Sequence, residues 1–516
     1  MHGPWADVRE THIGAVFLVG DLAYKLKKPV DLGFLDFSTR EARERACHRE
    51  VALNRRLAPD VYHGVADVTG PGGEVRDHLV VMRRMPEERR LSTLVRRGTP
   101  LTAAIRALAR QLAAFHARAA RGPEIDADET RDAVRNRWRD SFAQVRPFHG
   151  EVLDPATAGE IEELTEEFLA GREPLFDRRI AEGHVVDGHG DLLADDIFWL
   201  EDGPRVLDCL EFDDHLRHVD VLDDVAFLAM DLERLGAPRL GEQLLRDYRE
   251  FAGDPAPPAL VHHYLAYRAF VRAKVACLRH AQGDPQAAGL AREYADLTLA
   301  HLRFGRVRLI LVGGEPGTGK STVAGGLADR LGATLLQSDR LRKELAGLTP
   351  VRRPAEGYRE GLYDADHTDA TYTELTRRAG ELLALGETVV LDASWNAARH
   401  RALAAAAAGR TSSPLAAIRC LAPEAIAAHR IMTRTSALSD ATPDIARRMA
   451  TDADPWPEAH PLQTAGTPAE SLARAVACLI PEHRKSPERR HSGPPGSGHR
   501  GAKVEPETTP EDEESR

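Results

Sequence analysis

DGHGDLLADDIFWLEDGPRVLDCLEF, residues 187–212, sets the reading of the first part of this chain. It is a strand–loop–strand pattern with its turn at Glu201-Asp-Gly-Pro204, and it interrupts helical territory. Pro100 to Ala120 is strongly helical, and residues 220–302 return to helices, punctuated by Gly-Asp-Pro at 253–255 and 283–285. Toward the N-terminus, residues 11–82 change to short strands and one helix. THIGAVFLV, AYKLKKPV and HLVVMRRM have strand character, and Gly20-Asp21 is a turn signal. Between them Thr39 to Leu57 is helical, with Ala42, Ala46, Val51, Leu53 and Leu57 as a rough apolar stripe.

At Arg306 the pattern changes again. VRLILVGG is a continuous apolar run of strand length that ends in glycines and precedes a helical segment, the mark of a buried parallel strand feeding a helix. LGATLLQ, ETVVLDAS at 387–394 and PLAAIRCLA at 414–422 repeat the strand pattern. Strands alternating with helices predict a parallel α/β domain. From about residue 482 large apolar residues nearly vanish, which predicts a disordered tail. The expected boundaries are therefore 1–303, with a small lobe to about 85 and a helical lobe from 86, then 304–481 and the tail 482–516.

With 42% hydrophobic and 29% charged residues, the composition is that of a globular chain. No apolar run reaches the roughly 18 residues a membrane span needs, and MHGPWADVRE lacks the layout of a signal peptide. Five scattered cysteines, none in CxxC spacing, argue against a disulfide framework and fit a reducing cytoplasm. No His or Cys cluster in the sequence points to a transition metal. The net charge of −11 and the lack of a basic tract with interleaved aromatics speak against nucleic acid as partner. Oligomeric state is not legible.

Gly314-Glu315-Pro316-Gly317-Thr318-Gly319-Lys320-Ser321, with Thr322 after it, matches the phosphate-binding pattern GxxxxGK[ST] between a predicted strand and a predicted helix. Glycines let backbone N–H groups curl around phosphate oxygens, and the helix N-terminus adds a favourable dipole. Lys320 can reach the β- and γ-phosphates of ATP, and the Ser321 hydroxyl can hold Mg²⁺. Asp339, after the strand LGATLLQ, can accept the proton of an attacking hydroxyl, and Asp392, ending VVLD, can serve the metal. Arg430 and Arg434 share a helix face, where they can neutralise charge in transfer, and Ser439-Asp440-Ala441 follows as a lid would. Together these residues resemble the small P-loop kinases of the gluconate-kinase, zeta-toxin and polynucleotide-kinase-like group, over about residues 306–480. The resemblance implies that Asp339 and Arg342 contact the acceptor and that Arg430 and Arg434 are lid arginines.

His189-Gly190-Asp191, with Asp196 five residues after Asp191 and Asp208 seventeen after it, is similar to an HxD-x4-N catalytic loop followed by a metal-binding acid. Leu22-Ala23-Tyr24-Lys25 resembles the strand whose lysine holds the α/β-phosphates, Glu50 can pair with that lysine, and Met82 to Pro86 stands where a hinge would be. With YKLKKPVDLGFLDFSTREAR, LNRRLAPDVY, VLDCLEFDDHLRHVDVLDDVAFLAMDLE and YRAFVRAKVACLRH, about residues 10–300 resemble the aminoglycoside-phosphotransferase-like kinase family. They are most similar to the bifunctional group that fuses such a domain to an ATP-binding domain of AAA-family type. The resemblance implies a protein-kinase-like bilobal fold in which Lys25 and Glu50 position ATP, Asp191 meets the hydroxyl, and Asp196 and Asp208 hold Mg²⁺. The chain departs from the family at Leu193 and Asp196, where HGDLHxxN has His and Asn, and Gly14 and Gly20 do not form GxGxxG. Asp can still bind Mg²⁺ through oxygen. Arg268, Arg272 and Arg279 lie near one helical face that can greet an anionic acceptor, with a solvated or ion-paired face as the plainer reading. His116 reads as a packed helix residue.

The expected function is a cytoplasmic two-kinase fusion, each half moving the γ-phosphoryl of ATP to a small hydroxyl-bearing molecule with Mg²⁺. The alternatives are an active P-loop domain with a catalytically silent N-terminal module, and end phosphorylation of nucleic acid by the C-terminal domain.

Overall fold

The computed structural model describes residues 7–10, 13–31, 36–348, 361–433 and 442–479. Among these, β1 (Asp7–Glu10), β2 (Gly14–Val19), β3 (Leu22–Lys27), β4 (Tyr62–Thr69) and β5 (Val75–Arg83) form an antiparallel sheet in the order β1-β2-β3-β5-β4. The helix Arg40–Asn54 packs against this sheet. Thr39 caps it, its Oγ1 accepting the Ala42 N–H at 3.1 Å. Cys47 and Val51 on the helix meet Ala23, Val61, Tyr62, Val80 and Met82 beneath it. The sequence missed β1 and β4: β1 is fully exposed, and β4 carries a glycine and a register shift. Neither has an apolar alternation to read.

The helical lobe follows from Leu91. Its main helices are Thr102–Arg118, Arg131–Val145, Pro155–Ala170, Val221–Arg234, Pro238–Ala252, Pro258–Ala281 and Ala287–Phe304. Four short strands lie within it: β6 (Val185–Asp187), β7 (Ile197–Leu200), β8 (Gly203–Val206) and β9 (His218–Asp220). β7 and β8 form the hairpin read from the sequence, and β6 pairs with β9. A five-stranded antiparallel lobe joined to a helical lobe is the bilobal kinase-like arrangement that the resemblance implies.

The second unit is a five-stranded, wholly parallel sheet: β10 (Leu309–Gly313), β11 (Thr334–Gln337), β12 (Val389–Asp392), β13 (Leu415–Leu421) and β14 (His460–Gln463), in the order β11-β12-β10-β13-β14. Ile310 and Val312 face one core with Val323, Leu327 and Ile418, whereas Leu309 and Leu311 face another with Leu375, Leu383 and Ala404. Burial on both faces explains the unbroken apolar run of β10. The phosphate-binding loop leaves the C-terminal end of β10, at the centre of the sheet, where α/β folds place ligands.

The two units share a core. The cluster holding Leu309 and Leu311 is continuous with Leu175 and Ala259 of the helical lobe. Arg172, 1% exposed, donates to the Thr411 carbonyl at 2.6 Å and the Ser413 Oγ at 2.9 Å across the boundary. A Cβ built on Gly171 would stand 1.9 Å from the Thr411 oxygen, so the two backbones touch there. Among the described residues no helix is long and apolar enough to cross a membrane. The expected tail, Arg434 and Ser439 to Ala441 lie outside the described residues.

Candidate functional site

In the first unit, Lys25 stands on β3 and Glu50 on the helix Arg40–Asn54, and packing of that helix brings them together. Lys25 Nζ lies 2.9 Å from Glu50 Oε1 and 2.6 Å from Asp208 Oδ1. Lys27, two residues on and therefore on the same strand face, meets the other Glu50 oxygen at 2.7 Å and also pairs with Glu211. The sequence reading missed Lys27 and Glu211, although the period of two in AYKLK carried the signal. Burial opposes the charge on Lys25, but Asp208, Glu50 and Glu211 together raise its pKa well above the ordinary lysine value. Burial likewise opposes ionisation of Glu50, and Lys25 and Lys27 outweigh it and lower the pKa. Asp208 is lowered chiefly by Lys25.

Asp208 also has φ 62°, a left-handed conformation that costs a non-glycine residue free energy. Neighbours on either side hold it: its own N–H donates to the Tyr62 hydroxyl at 3.2 Å, and the Cys209 N–H donates to Asn54 Oδ1 at 2.9 Å. Strain maintained by flanking hydrogen bonds aims the carboxylate into the cleft at Lys25.

Asp191 lies on the loop between β6 and β7, and that loop is fastened from below. Asp224, fully buried, accepts the N–H groups of His189 at 2.7 Å and Gly190 at 2.9 Å, and meets His116 Nε2 at 3.1 Å. His116 is thus a packed helix residue, as read, and also a support for the loop. Arg56 reaches the Asp187 and Gly188 carbonyls at 3.0 and 2.7 Å, tying the small lobe to the same loop. Burial raises the Asp191 pKa to about 6; Arg272 and Arg268 counter this, and Asp208 adds to it. Burial and the charges of Asp208 and Asp191 raise Asp196 well above the ordinary carboxylate value. Three carboxylates within electrostatic range, one of them driven toward its neutral form, fit a divalent cation with oxygen ligands such as Mg²⁺. Asp196 and Asp208 are the residues that would hold it, with Asp191 beside them.

Of Arg268, Arg272 and Arg279, two are ion-paired, the plainer of the two readings, while Arg272 acts on Asp191. Arg268 is buried and bidentate to Asp223 at 2.8 and 2.9 Å, and it also donates to the Gly190 carbonyl at 3.1 Å. Arg279 pairs with Asp284 at 2.5 Å. Helical spacing put these arginines on one face but could not show the acids opposite them. Gly20 sits in the turn between β2 and β3, and Gly14 opens β2. Thr11 and His12, between β1 and β2, lie outside the described residues.

In the second unit, the loop from Gly314 to Gly319 takes three glycine-only turns, with φ of 135°, 82° and 85° at Gly314, Gly317 and Gly319. Thr318 Oγ1 closes it on the Glu315 carbonyl at 2.7 Å. Glu315 pairs with Arg419 at 3.0 Å, and Thr464 Oγ1 donates to the Thr318 carbonyl at 2.5 Å. Pro316 is buried within the loop; Lys320, Ser321 and Thr322 open the helix Lys320–Leu331. Arg430 lies beside the loop: its Nη1 is 3.6 Å from the Cβ position of Gly319, and its Nη2 donates to the Thr464 carbonyl at 2.8 Å.

Asp392 ends β12 in register with Val312 of β10. It is 5% exposed; its Oδ2 accepts from Gln337 Nε2 at 3.1 Å, whereas its Oδ1 is buried without a hydrogen-bond partner. A buried orphan carboxylate oxygen at the C-terminal end of the strand beside β10 fits a cation-linked role for Asp392 with Ser321. Asp339 is the second residue of the helix Ser338–Leu345, and its charge acts on Tyr372, whose hydroxyl lies 3.1 Å from Ser394 Oγ. Arg342 is buried, donating to the Leu362 carbonyl at 2.9 Å and Thr368 Oγ1 at 3.1 Å. Trp395, fully buried at φ 59°, and Trp456, against Gly313, wall this end of the sheet. Neither tryptophan carried a pattern in the sequence.

The chain is 44% identical over 472 residues to the Uncharacterized protein Rv2004c of Mycobacterium tuberculosis, covering 92% of this chain and 95% of that one. The chain belongs to that family. Within it, residues 309–454 match the family described as AAA domain, the span of the phosphate loop and of Asp392. Among solved structures, a choline/ethanolamine kinase family protein from Mesorhizobium loti aligns with 58% of this chain and 92% of its own, at 16% identity and a TM-score of 0.37. A gluconokinase from Sinorhizobium meliloti 1021 aligns with 34% of this chain and 94% of its own, at 20% identity and a TM-score of 0.25. This chain joins a unit with an antiparallel small lobe and a helical lobe to a parallel-sheet unit that carries the P-loop.

Proposed function

We propose that the protein is an ATP-dependent phosphotransferase with two kinase-type sites. Each transfers the γ-phosphoryl group to a hydroxyl of a small molecule, such as a sugar, an aminoglycoside-like compound or a nucleotide-linked acceptor. The observation that carries this reading is Lys25 held between Glu50 and Asp208 in the cleft that Asp191 faces. In the first unit Lys25 takes the phosphates, as a charge fixed by Glu50. Asp191, ionised at neutral pH with its pKa near 6, accepts the proton as the acceptor oxygen attacks phosphorus. The bond from the γ-phosphorus to the bridging oxygen breaks, leaving ADP and a phosphate ester. In the second unit Lys320 and the backbone N–H groups of residues 314–319 take the phosphates, and Asp339 accepts the proton. Arg342 serves the acceptor, and Arg430, with Arg434, offsets developing charge. Mg²⁺ bound by Asp196 and Asp208, or by Ser321 and Asp392, supplies charge neutralisation on the phosphates. An ATP user of this kind belongs in the cytoplasm.

A second reading is favoured by one feature. Asp208 already occupies Lys25 at 2.6 Å, the charge an ATP phosphate would need. On that reading the first unit is a silent binding or regulatory module for the P-loop domain. An ATP-consumption screen against sugars, aminoglycosides and nucleotide sugars separates the two, run on wild type, Lys320→Ala and Asp191→Ala. Two active sites predict acceptors whose turnover collapses in Asp191→Ala alone. Turnover unchanged in Asp191→Ala for every accepted substrate leaves only the P-loop site.

A further inference from the structure

Asp128, His215 and His218 come together beside the segment that follows Asp208. Asp128 caps the helix Pro123–Ala127, His215 lies on the segment that follows Asp208, and His218 begins β9. Their donor atoms, His215 Nδ1, His218 Nδ1 and Asp128 Oδ2, all lie within 4.8 Å of one another. The two imidazole nitrogens sit 2.8 and 2.6 Å from the same carboxylate oxygen. The sequence reading found no transition-metal ligand set, because Asp128 lies 87 and 90 residues from the two histidines. Only folding assembles the group.

We propose that this trio is a binding site for a transition dication of the zinc class. Two imidazole nitrogens and one carboxylate oxygen are the borderline donors such ions take, three from protein with further positions open. Mg²⁺, which demands oxygen ligands, does not suit it. His215, 75% exposed, leaves one side open to solvent, so the ion enters and leaves directly. The surroundings favour a cation: Asp213 and Asp214 both act on His215, the His215 N–H donates to Asp213 Oδ1 at 3.0 Å, and Asp128 raises the His215 pKa. A bound dication would take the place of the hydrogen bonds from the two Nδ1 atoms to the Asp128 carboxylate.

The ion would pin the segment 209–218, which covers the loop carrying Asp191. Arg217, fully buried, joins that segment to Asp187 at 2.8 Å and to its own Leu210 carbonyl at 2.8 Å. The Leu216 carbonyl lies 3.0 Å from the Cβ position of Gly190. Metal occupancy would therefore steady the segment against which the loop at Gly190 packs.

The test is titration of the metal-free, full-length chain with Zn²⁺ by calorimetry, and with Co²⁺ read by its visible absorption. Hydrogen exchange of residues 209–218 is followed in parallel. The expected result is one ion per chain, unaffected by excess Mg²⁺, with slowed exchange in that segment. Affinity should fall at least about tenfold in His215→Gln and in Asp128→Asn. His215→Gln alters an exposed side chain, so its melting temperature without metal should match wild type. Cys478→Ser, at the one exposed cysteine, should bind as wild type does. Absence of stoichiometric binding in wild type, full binding in His215→Gln and Asp128→Asn, or loss in Cys478→Ser instead would each overturn the assignment.

Discussion

Asp191 and Asp224 lie on and beneath one loop and titrate in opposite directions. Asp191 is pushed up to about 6 by burial, so a proton-accepting role must weaken as pH falls through that value. The rate of the N-terminal reaction should therefore be level above pH 7 and drop about tenfold per unit below roughly pH 6. Asp191→Asn should cost about 10²- to 10⁴-fold in turnover with little change in melting temperature. A pH–rate profile on an acceptor specific to that site checks both. Burial alone would raise Asp224 too, but His116 and the His189 N–H lower it below the ordinary carboxylate value. A depressed folded pKa means stabilisation that is complete above the unfolded value of about 4 and is lost as pH falls toward the folded one. Thermal unfolding between pH 7 and 3 should show that loss in wild type and a shallower slope in Asp224→Asn.

At the scale of elements, the phosphate loop tolerates no side chain at its first glycine. A Cβ on Gly314 would stand 2.5 Å from the Cys420 carbonyl oxygen, at a φ of 135°. Gly314→Ala should destabilise the P-loop unit by about 1–3 kcal/mol and abolish nucleotide binding there, measurable by calorimetric titration with ATP. The strand–loop–helix around Gly314 was legible in the sequence because β10 is buried on both faces and the motif requires that context. Lys25, Glu50 and Asp208 were legible as a set of spaced motifs, and they meet. What the letters could not convey was which charges would find partners. Arg268 could be read as part of a basic or an ion-paired face, and only the fold sets Asp223 opposite it; β1 and β4 carry no apolar alternation that would mark them as strands. Tyr372, Trp395 and Thr464 act by tertiary packing, to which no spacing rule points.

At the scale of the whole molecule, the two units meet through packed backbone and a buried arginine. Burial without a carboxylate partner in direct contact lowers the Arg172 pKa to about 10, so it stays charged at neutral pH while donating to Thr411 and Ser413. Arg172→Ala removes both donations and opens a gap, and should cost about 1–3 kcal/mol. Because the core is continuous, scanning calorimetry of wild type should show one transition, and Arg172→Ala should split it in two. That seam also constrains the gene. A chain cut between residues 303 and 304 would leave each product with a raw apolar surface where Leu175 and Leu309 now share a core. Separate expression should therefore yield aggregates that co-expression rescues. Two units that share one core are always made in equal number, and cutting between them exposes apolar surface on both.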